Sequence, residues 1–320
     1  MKKIIIIGAG AMGSAFAVPC LDNKNDVTIV GTHLEDSLIQ SINSNKYIHP
    51  ALKTQLPKKI KFERFEKLQT VLKQNIDIIV CGVSSVGIEW FVKQISKNFK
   101  KEIPIVLLTK GLSVVDNELS TLSDKIKNLL EKEGHSEINI SAIKGPCLAA
   151  GLANKMRTGT VIANKNLKVC QFLKETISTN YYSTEISEDI NGVELSGAIK
   201  NIYSMLIGAS EGLSNPKASK SIQSKYFLNT AASLIHRSIS EMVEFVSNYG
   251  GKAETVYGLA GLGDLYVSAI GGRNSLMGKY LGEGYLYNDA KERFMKDITV
   301  EGAQLALEIG PKILQDLNPQ

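Results

Sequence analysis

The stretch that decides the fold is KKIIIIGAGAMGSAF, residues 2–16, which sets four isoleucines directly before three glycines. Residues 4–7 are β-branched, too few to cross a membrane and too apolar for a strand with one wet face, so we predict a strand buried on both faces. The glycines follow in the spacing G-x-G-x-x-G, as Gly8, Gly10 and Gly13. Small residues after them let a helix lie close to the sheet.

This order of strand, turn and helix predicts a dinucleotide site, in which backbone N–H groups and a helix N-terminus meet a pyrophosphate. A second apolar strand, residues 26–30, stands at the distance that a βαβ unit of roughly 30 residues requires. Thr32 and His33 occupy its tip, where NAD sites usually carry a carboxylate and NADP sites an arginine. Glu35 lies past the tip, where we expect it to open a helix. The sequence therefore predicts NAD or NADP without deciding between them.

Length and composition exclude several classes of protein. A chain of 320 residues is long enough for two domains, and 43% hydrophobic with 22% charged residues is typical of a soluble globular protein. The net charge of +5 comes from dispersed lysines without a basic block, so we expect no nucleic-acid partner. We also expect no membrane span, because no apolar run reaches about 18 residues. The four cysteines lack metal-site or disulfide spacing, so we expect reduced thiols, no metal and a cytoplasmic location.

Strand-like and helix-like segments alternate through the first half of the chain, which predicts an α/β fold: a Rossmann-type, doubly wound, mostly parallel sheet. We predict further strands over 77–83, 104–111, 138–146, 158–163 and 181–187, and helices over 87–99 and 117–131. Helical spacing then dominates, with helices predicted over 189–213, about 221–249 and about 299–314. We place a dinucleotide-binding domain at 1–188 and an all-helical second domain, for substrate and catalysis, at 189–320.

Lys200 is the most unusual residue of the second domain, because it lies in a helix that is otherwise apolar. Gly197 and Ser204 flank it at one-turn spacing and leave its ammonium room to face a cavity. Removing water from an ammonium lowers its pKa, which is how a lysine becomes a proton donor near neutral pH. The alternative is a lysine at a helix edge whose ammonium reaches solvent. The pattern alone leaves both interpretations open.

Residues 257–278 contain six glycines around a single acid, Asp264, followed by Arg273 and Asn274. A glycine-rich turn beside an arginine suits an anion, since backbone donors approach closely and the guanidinium fork matches phosphate oxygens. Asp264 could pair with Lys200 and orient it. The alternatives are a helix cap for Asp264 and a surface charge for Arg273.

Eight motifs now carry a family resemblance. In chain order they are GAGAMGSAFA, LLTKGL, KGPCLAAGLA, GVELSGAIKNI, AASLIHRSISEM, GLAGLGDL, GGRN and VEGAQLA. From residue 4 to about residue 307 the chain closely resembles the nicotinamide-dependent glycerol-3-phosphate dehydrogenases. The resemblance implies interconversion of dihydroxyacetone phosphate and sn-glycerol 3-phosphate, with hydride exchanged with NAD(P)H.

The resemblance also implies roles for individual residues. Lys200 would be the general acid and base, with Asp264 as its catalytic partner. Cofactor contacts would come from the glycine-rich turn, the tip of the second strand and four later positions: Gly8, Gly10, Ala11, Met12, Gly13, Thr32, His33, Lys110, Ala149, Arg273 and Glu301. The phosphorylated substrate would contact Lys110, Gly145, Cys147, Lys200, Asp264, Arg273 and Asn274. We further expect a homodimer.

Four positions depart from the family pattern, and one of them is Thr32, near which relatives commonly have Arg or His. Cys147 stands where relatives commonly have Ser or Thr, Met12 where they have an aromatic residue, and Gly272 where they have Ser. These changes leave Lys200 and Asp264 intact but bear on substrate hydrogen bonding and cofactor choice. The alternatives are a ketopantoate or 3-hydroxyacid reductase of similar architecture, or a non-catalytic dinucleotide sensor. GLAGLGDL followed by GGRN favours a phosphate ester.

Overall fold

A computed structural model describes residues 1–214, 227–296 and 298–317, and the chain forms two compact units. Unit 1 consists of Met1–Lys110 and Leu122–Ile190. Unit 2 consists of Gly111–Thr121 and Asn191–Gln320.

The secondary structure comprises strands and helices that alternate through unit 1 and a mainly helical unit 2. The strands are β1 (Lys3–Ile7), β2 (Asp26–Val30), β3 (Ile48–His49), β4 (Thr54–Gln55), β5 (Lys61–Glu63), β6 (Ile78–Cys81), β7 (Ile105–Leu107), β8 (Leu112–Val115), β9 (Glu118–Thr121), β10 (Ile140–Lys144), β11 (Thr158–Ala163) and β12 (Tyr182–Ser187). The helices are α1 (Ala11–Asp22), α2 (Asp36–Ser44), α3 (Leu68–Leu72), α4 (Ile88–Ile95), α5 (Leu122–Lys132), α6 (Ala149–Ala153), α7 (Leu167–Ile177), α8 (Ile190–Leu213), α9 (Phe227–Asn248), α10 (Ala253–Tyr257), α11 (Asp264–Gly271), α12 (Arg273–Gly282), α13 (Tyr287–Phe294) and α14 (Glu301–Leu317).

Unit 1 is built on an eight-stranded sheet in the order β12-β11-β10-β7-β6-β1-β2-β5. All neighbours pair in parallel except β10 and β11, which are antiparallel. The central strand β1 alternates between two cores: Ile4 and Ile6 pack on the side of α1, whereas Ile5 and Ile7 pack on the side of α4 and α5. The predicted α/β fold with a first strand buried on both faces is confirmed.

The carboxyl ends of β1 and β6 form the topological switch point, because the chain runs from β1 to β2 and β5 before β6 returns on the other side of β1. Two glycines are required there by close packing. Gly8 has φ +110°, and a Cβ on it would lie 2.7 Å from the backbone carbon of Gly82. A Cβ on Gly13 would lie 2.4 Å from the carbonyl oxygen of Gly8. Helix α1 can therefore begin directly against the turn.

The helix predicted from residue 117 is wrong at its start. Residues 112–121 form the antiparallel hairpin β8–β9, and α5 begins only at Leu122. Asp116 and Asn117 form the two-residue turn with φ of 51° and 60°, the left-handed conformation that short hairpin loops require. The hairpin belongs to unit 2, where Leu112 joins the core with Leu195 and Ile199.

The glycine-rich residues 257–278 are mostly helical and not the turn that we predicted. Leu259–Gly263 form one π-helical turn, α11 and α12 follow, and only Gly272 separates these two helices. Three of the six glycines, Gly261, Gly272 and Gly278, lie where neighbouring backbone leaves no room for a Cβ. A Cβ on Gly278 of α12 would lie 1.8 Å from the carbonyl oxygen of Met205 in α8.

The other predicted helices of unit 2 agree with α8, α9 and α14. Residues 221–226 of the predicted helix 221–249 lie outside the described residues. Among the helices that the structure describes, none is long and apolar enough to cross a membrane.

We expect Gly278→Ala to lower the free energy of unfolding by about 1–3 kcal/mol, because α8 and α12 must move apart to admit the methyl group. Gly310→Ala is the matched control in α14, where nothing lies within 4 Å of the added Cβ. The control should be neutral or stabilising by up to about 1 kcal/mol, since alanine restricts the unfolded chain. Urea denaturation of both variants measures the difference, and equal stabilities would contradict the packing argument.

Candidate active site

The glycine-rich turn of unit 1 has the shape that a pyrophosphate needs. A Cβ on Gly10 would meet the Glu35 Oε1 atom at 3.8 Å, an ordinary van der Waals contact, and no backbone atom approaches this side of the turn within 4 Å. Gly10 is the N-cap residue of α1, and the first helical turn, beginning with Ala11 and Met12, contains no acidic residue. The first N–H groups of a helix lack partners within it and carry partial positive charge. The residues present therefore fit a dinucleotide phosphate.

The backbone N–H and C=O groups of Ala9, in the middle of this turn, are both held by side chains. Its N–H donates to Glu35 Oε2 at 3.1 Å, and the Thr32 N–H donates to the same oxygen at 2.8 Å. Its carbonyl oxygen lies 3.0 Å from His49 Nε2 and accepts from Ser14 Oγ at 2.9 Å. Glu35 is the N-cap residue of α2, as expected of a residue that opens a helix, but its side chain makes no capping bond and binds the turn instead.

Sequence reasoning missed both Glu35 and His49 as neighbours of the turn. Glu35 lies about 20 residues after the glycines, the usual separation of an acid that faces a dinucleotide, and this spacing could have indicated it. His49 had no such signal, because only the β3–β4 hairpin brings it to Ala9. The predicted residue His33 lies in an aromatic cluster, with its ring centroid 6.1 Å from that of Phe65 and 5.4 Å from that of Trp90.

The predicted substrate residues of unit 1 lie around the carboxyl ends of β7 and β10. Lys110, Gly145 and Cys147 line one cavity of about 30 Å³, together with Met12. Gly145 has φ +142°, and a Cβ on it would lie 3.0 Å from the Cα of Thr160. Ala149, predicted to contact the cofactor, is the first residue of α6.

Lys144 is a further residue of this cavity that the sequence analysis did not single out. It is 2% exposed, and its ammonium donates to the carbonyl oxygens of Leu107 at 3.2 Å and Thr109 at 2.8 Å. These bonds hold the end of β7 immediately before Lys110. Lys144 was not predicted as a site residue because it ends an apolar run that has the pattern of a buried strand.

The cysteines differ in their surroundings, and none forms a disulfide. Burial raises the pKa of the Cys81 thiol to about 12, and it raises the pKa of the Cys20 and Cys170 thiols as well. These three side chains are buried, whereas Cys147 at the cavity is half-buried. Because the thiolate is the reactive form, burial and a raised pKa both protect the first three.

In unit 2, Lys200 and Asp264 form a buried ion pair. Lys200 is 3% exposed and Asp264 is 2% exposed, and the ammonium lies 2.9 Å from Asp264 Oδ1. Lys200 also donates to Ser268 Oγ. The ammonium therefore does not reach solvent at the helix edge, and the Asp264 carboxylate pairs with Lys200 although its residue opens α11. The sequence analysis missed Ser268, which the i, i+4 spacing from Asp264 on one helical face could have indicated.

Arg273 and Asn274 begin α12, and each has a partner at the start of α14. Arg273 pairs with Glu301, and both side chains are partly exposed. Asn274 is buried: its Oδ1 accepts from the Gly302 N–H at 2.8 Å, and its Nδ2 donates to Asn201 Oδ1 at 3.0 Å. The two predicted cofactor residues Arg273 and Glu301 thus lie together. No cluster of three metal-ligating side chains occurs in the described part of the chain.

A glycine-rich turn at the switch point of a mostly parallel sheet, followed in the chain by a helical unit with a buried lysine–aspartate pair, is the arrangement expected of a two-domain, Rossmann-type nicotinamide-dependent dehydrogenase. Sequence profiles then identify the family. Residues 3–170 match the NAD-dependent glycerol-3-phosphate dehydrogenase N-terminus, and residues 189–315 match the C-terminus of the same family. The chain belongs to the NAD-dependent glycerol-3-phosphate dehydrogenase family.

Individual relatives agree with this family. The chain is 34% identical over 318 residues to the NADP(+)-dependent glycerol-3-phosphate dehydrogenase of Archaeoglobus fulgidus, covering 98% of this chain and 91% of the relative. It is 32% identical over 331 residues to the glycerol-3-phosphate dehydrogenase [NAD(P)+] of Mesoplasma florum, covering 99% and 90%. The crystal structure of glycerol-3-phosphate dehydrogenase from Coxiella burnetii superposes with a TM-score of 0.81 at 25% identity, covering 100% and 91%. The reductase and sensor alternatives are not favoured.

We expect a thiol reagent such as 5,5′-dithiobis(2-nitrobenzoic acid) to modify Cys147 first in the native protein. The other three thiols should react only after unfolding, because they are buried and protonated. Mass spectrometry of the labelled peptides checks this order, and Cys147→Ser should remove the fast phase. Rapid native labelling of Cys20 or Cys81 would contradict it.

Proposed function

We propose that this chain is an NAD(P)-dependent sn-glycerol-3-phosphate dehydrogenase that interconverts dihydroxyacetone phosphate and sn-glycerol 3-phosphate. The buried Lys200–Asp264 pair is the observation that carries the proposal. The family match, the relatives' names and the fit of the glycine-rich turn to a pyrophosphate support it. A bound nicotinamide supplies the hydride to the substrate carbon and accepts it in the reverse reaction.

Lys200 acts in this proposal as the general acid of reduction. When hydride adds to the carbonyl carbon of dihydroxyacetone phosphate, the π electrons of the C=O bond move onto the oxygen. The resulting alkoxide then takes up one proton. Lys200 Nζ donates that proton to the oxygen, and in the oxidation of glycerol 3-phosphate the neutral amine takes it back. Asp264 and Ser268 restrict the ammonium to one position, so the Nζ–H bonds are directed before substrate arrives.

Arg273 binds the substrate phosphate in this proposal. Its ion pair with Glu301 is partly exposed, and such pairs contribute only about 0–1 kcal/mol, so the pair does not prevent a dianionic phosphate from binding. The guanidinium has five N–H donors, enough to contact Glu301 and phosphate oxygens together. Asn274 adds one remaining amide hydrogen and, through Gly302, ties α12 to the start of α14.

The remaining assignments concern unit 1 and the whole molecule. Lys110, Gly145 and Cys147 contact the substrate in this proposal, while Lys110 and Ala149 contact the cofactor. Their common position at the carboxyl ends of strands supports these roles, because ligands of parallel sheets bind at that edge. We also propose a homodimer in the cytoplasm, as the family resemblance implies. Light scattering that returns the mass of one chain would contradict the dimer.

The unmodified protein should oxidise NADH or NADPH when dihydroxyacetone phosphate is added, and Lys200→Met should lower kcat by about 10² to 10⁴ while NADH still binds. Because that variant leaves the Asp264 carboxylate buried without its counter-charge, Lys200→Met/Asp264→Asn is measured beside it. Lys279→Met is the control, since Lys279 pairs with Glu211 elsewhere in unit 2. Stopped-flow absorbance at 340 nm measures kcat, and near-normal turnover by both Lys200 variants would contradict the acid role.

We expect Arg273→Gln to lower kcat/KM for dihydroxyacetone phosphate by the equivalent of roughly 2–5 kcal/mol, because a charge-assisted contact to phosphate is lost. Unphosphorylated dihydroxyacetone should be a poor substrate, and its kcat/KM should change little in the same variant. The control Arg237→Gln removes an exposed guanidinium paired with Glu241 in α9. Equal losses for the two substrates would show that Arg273 does not read the phosphate.

A further inference from the structure

Both backbone polar groups of Ala9, which belong to two successive peptides, are held by residues that lie outside the glycine motif. Glu35 accepts its N–H, and His49 lies at its carbonyl oxygen. Both residues belong to unit 1, as does the turn. Neither residue is used in the proton-transfer chemistry, so their role must be sought in the turn itself.

Glu35 links two turns through hydrogen bonds to one of its carboxylate oxygens. Its Oε2 accepts N–H groups from Ala9, after β1, and from Thr32, after β2. Hydrogen bonds to a carboxylate are about twice as strong as those between neutral groups. The Ala9 N–H is thereby committed to Glu35, so the pyrophosphate is left to the N–H groups at the start of α1, from Ala11 onward.

His49 holds the following peptide, which carries the Ala9 carbonyl oxygen. The ring is 1% exposed, and its Nδ1 accepts the Leu52 N–H at 3.3 Å. A ring nitrogen that accepts carries no proton, so Nε2 carries it and donates to the Ala9 carbonyl oxygen at 3.0 Å. Ser14 Oγ donates to the same oxygen, which uses both of its lone pairs.

We infer that Glu35 and His49 are positioning residues that fix the two peptide planes on either side of the Ala9 Cα and so hold the glycine-rich turn ready for the dinucleotide. This inference rests on the proposed function, in that the ligand is NADH or NADPH. A turn ordered before binding loses less conformational entropy when the ligand arrives, so its affinity is higher. The two residues act on cofactor affinity and leave the chemical step unchanged.

The test is calorimetric titration with NADH, without substrate, of Glu35→Ala, Glu35→Gln, His49→Phe and His49→Gln. We expect Glu35→Ala and His49→Phe to weaken NADH binding by roughly tenfold or more, the usual effect of losing a hydrogen bond to a buried group. The two glutamine variants should recover most of the affinity. In Glu35→Gln the amide oxygen can accept both N–H groups, and in His49→Gln the amide nitrogen can donate to the Ala9 carbonyl oxygen. At saturating NADH, kcat should stay within about twofold of the parent value.

Asp36→Asn is the matched control, because it removes one neighbouring negative charge from a side chain whose own contacts are to Arg64 and the Phe65 N–H. Its NADH affinity should equal that of the parent. Thermal unfolding of each variant shows whether it is folded at the titration temperature, and the glutamine variants keep the test decisive if His49→Phe is not. Unchanged affinity in Glu35→Ala would overturn the inference.

Two further outcomes would also overturn it. If His49→Gln binds as weakly as a folded His49→Phe, the Nε2 hydrogen bond is not what matters. If Glu35→Gln changes the ratio of NADPH to NADH affinity more than tenfold, Glu35 acts through its charge on the ribose and not through the turn. If the variants change NADH affinity as expected but the parent protein does not reduce dihydroxyacetone phosphate, the proposed activity is contradicted and the positioning role is supported.

Discussion

The contact between Gly13 and the carbonyl oxygen of Gly8 is the constraint on which unit 1 depends. A Cβ at residue 13 would lie 2.4 Å from that oxygen, so only glycine lets α1 start against the end of β1. The start of α1 then lies at the switch point, where its N–H groups are available for the proposed contact with a pyrophosphate. Glu35 and His49 add a second requirement, because their hydrogen bonds to Ala9 form only when the turn holds one position relative to the sheet.

The Lys200–Asp264 pair is the opposite kind of feature, because it does not explain stability. Removing two charges from water costs several kcal/mol per ion, and the attraction between them often only balances that cost. Gly278 and Gly208, which let α8 and α12 touch, serve the packing of unit 2 better than the ion pair does. The buried lysine, held by a carboxylate and a hydroxyl, is therefore explained by its proposed role in proton transfer and not by a gain in stability.

Much of the fold could be predicted from the sequence because its signals are local. The isoleucines before Gly8 and the spacing of the three glycines fix β1 and the turn within a dozen residues, and Lys200 is conspicuous in an apolar helix. His49 and Lys144 were missed because their partners lie far away in the chain, at Ala9 and at the end of β7. The glycines near Asp264 misled for a physical reason: Gly261, Gly272 and Gly278 mark close packing against backbone in a mostly helical segment and not a glycine-rich loop.

The β8–β9 hairpin gives the two units an unequal history during synthesis. Residues 111–121 leave the ribosome inside the sequence of unit 1, yet Leu112 packs in the core of unit 2 with α8 and α9 residues that are made much later. Domains generally fold as units as the chain emerges, so the sheet of unit 1 can form first. The apolar face of the hairpin is then covered only when the helices of unit 2 have been made. The same interleaving means that no single cut in the backbone separates the two units whole.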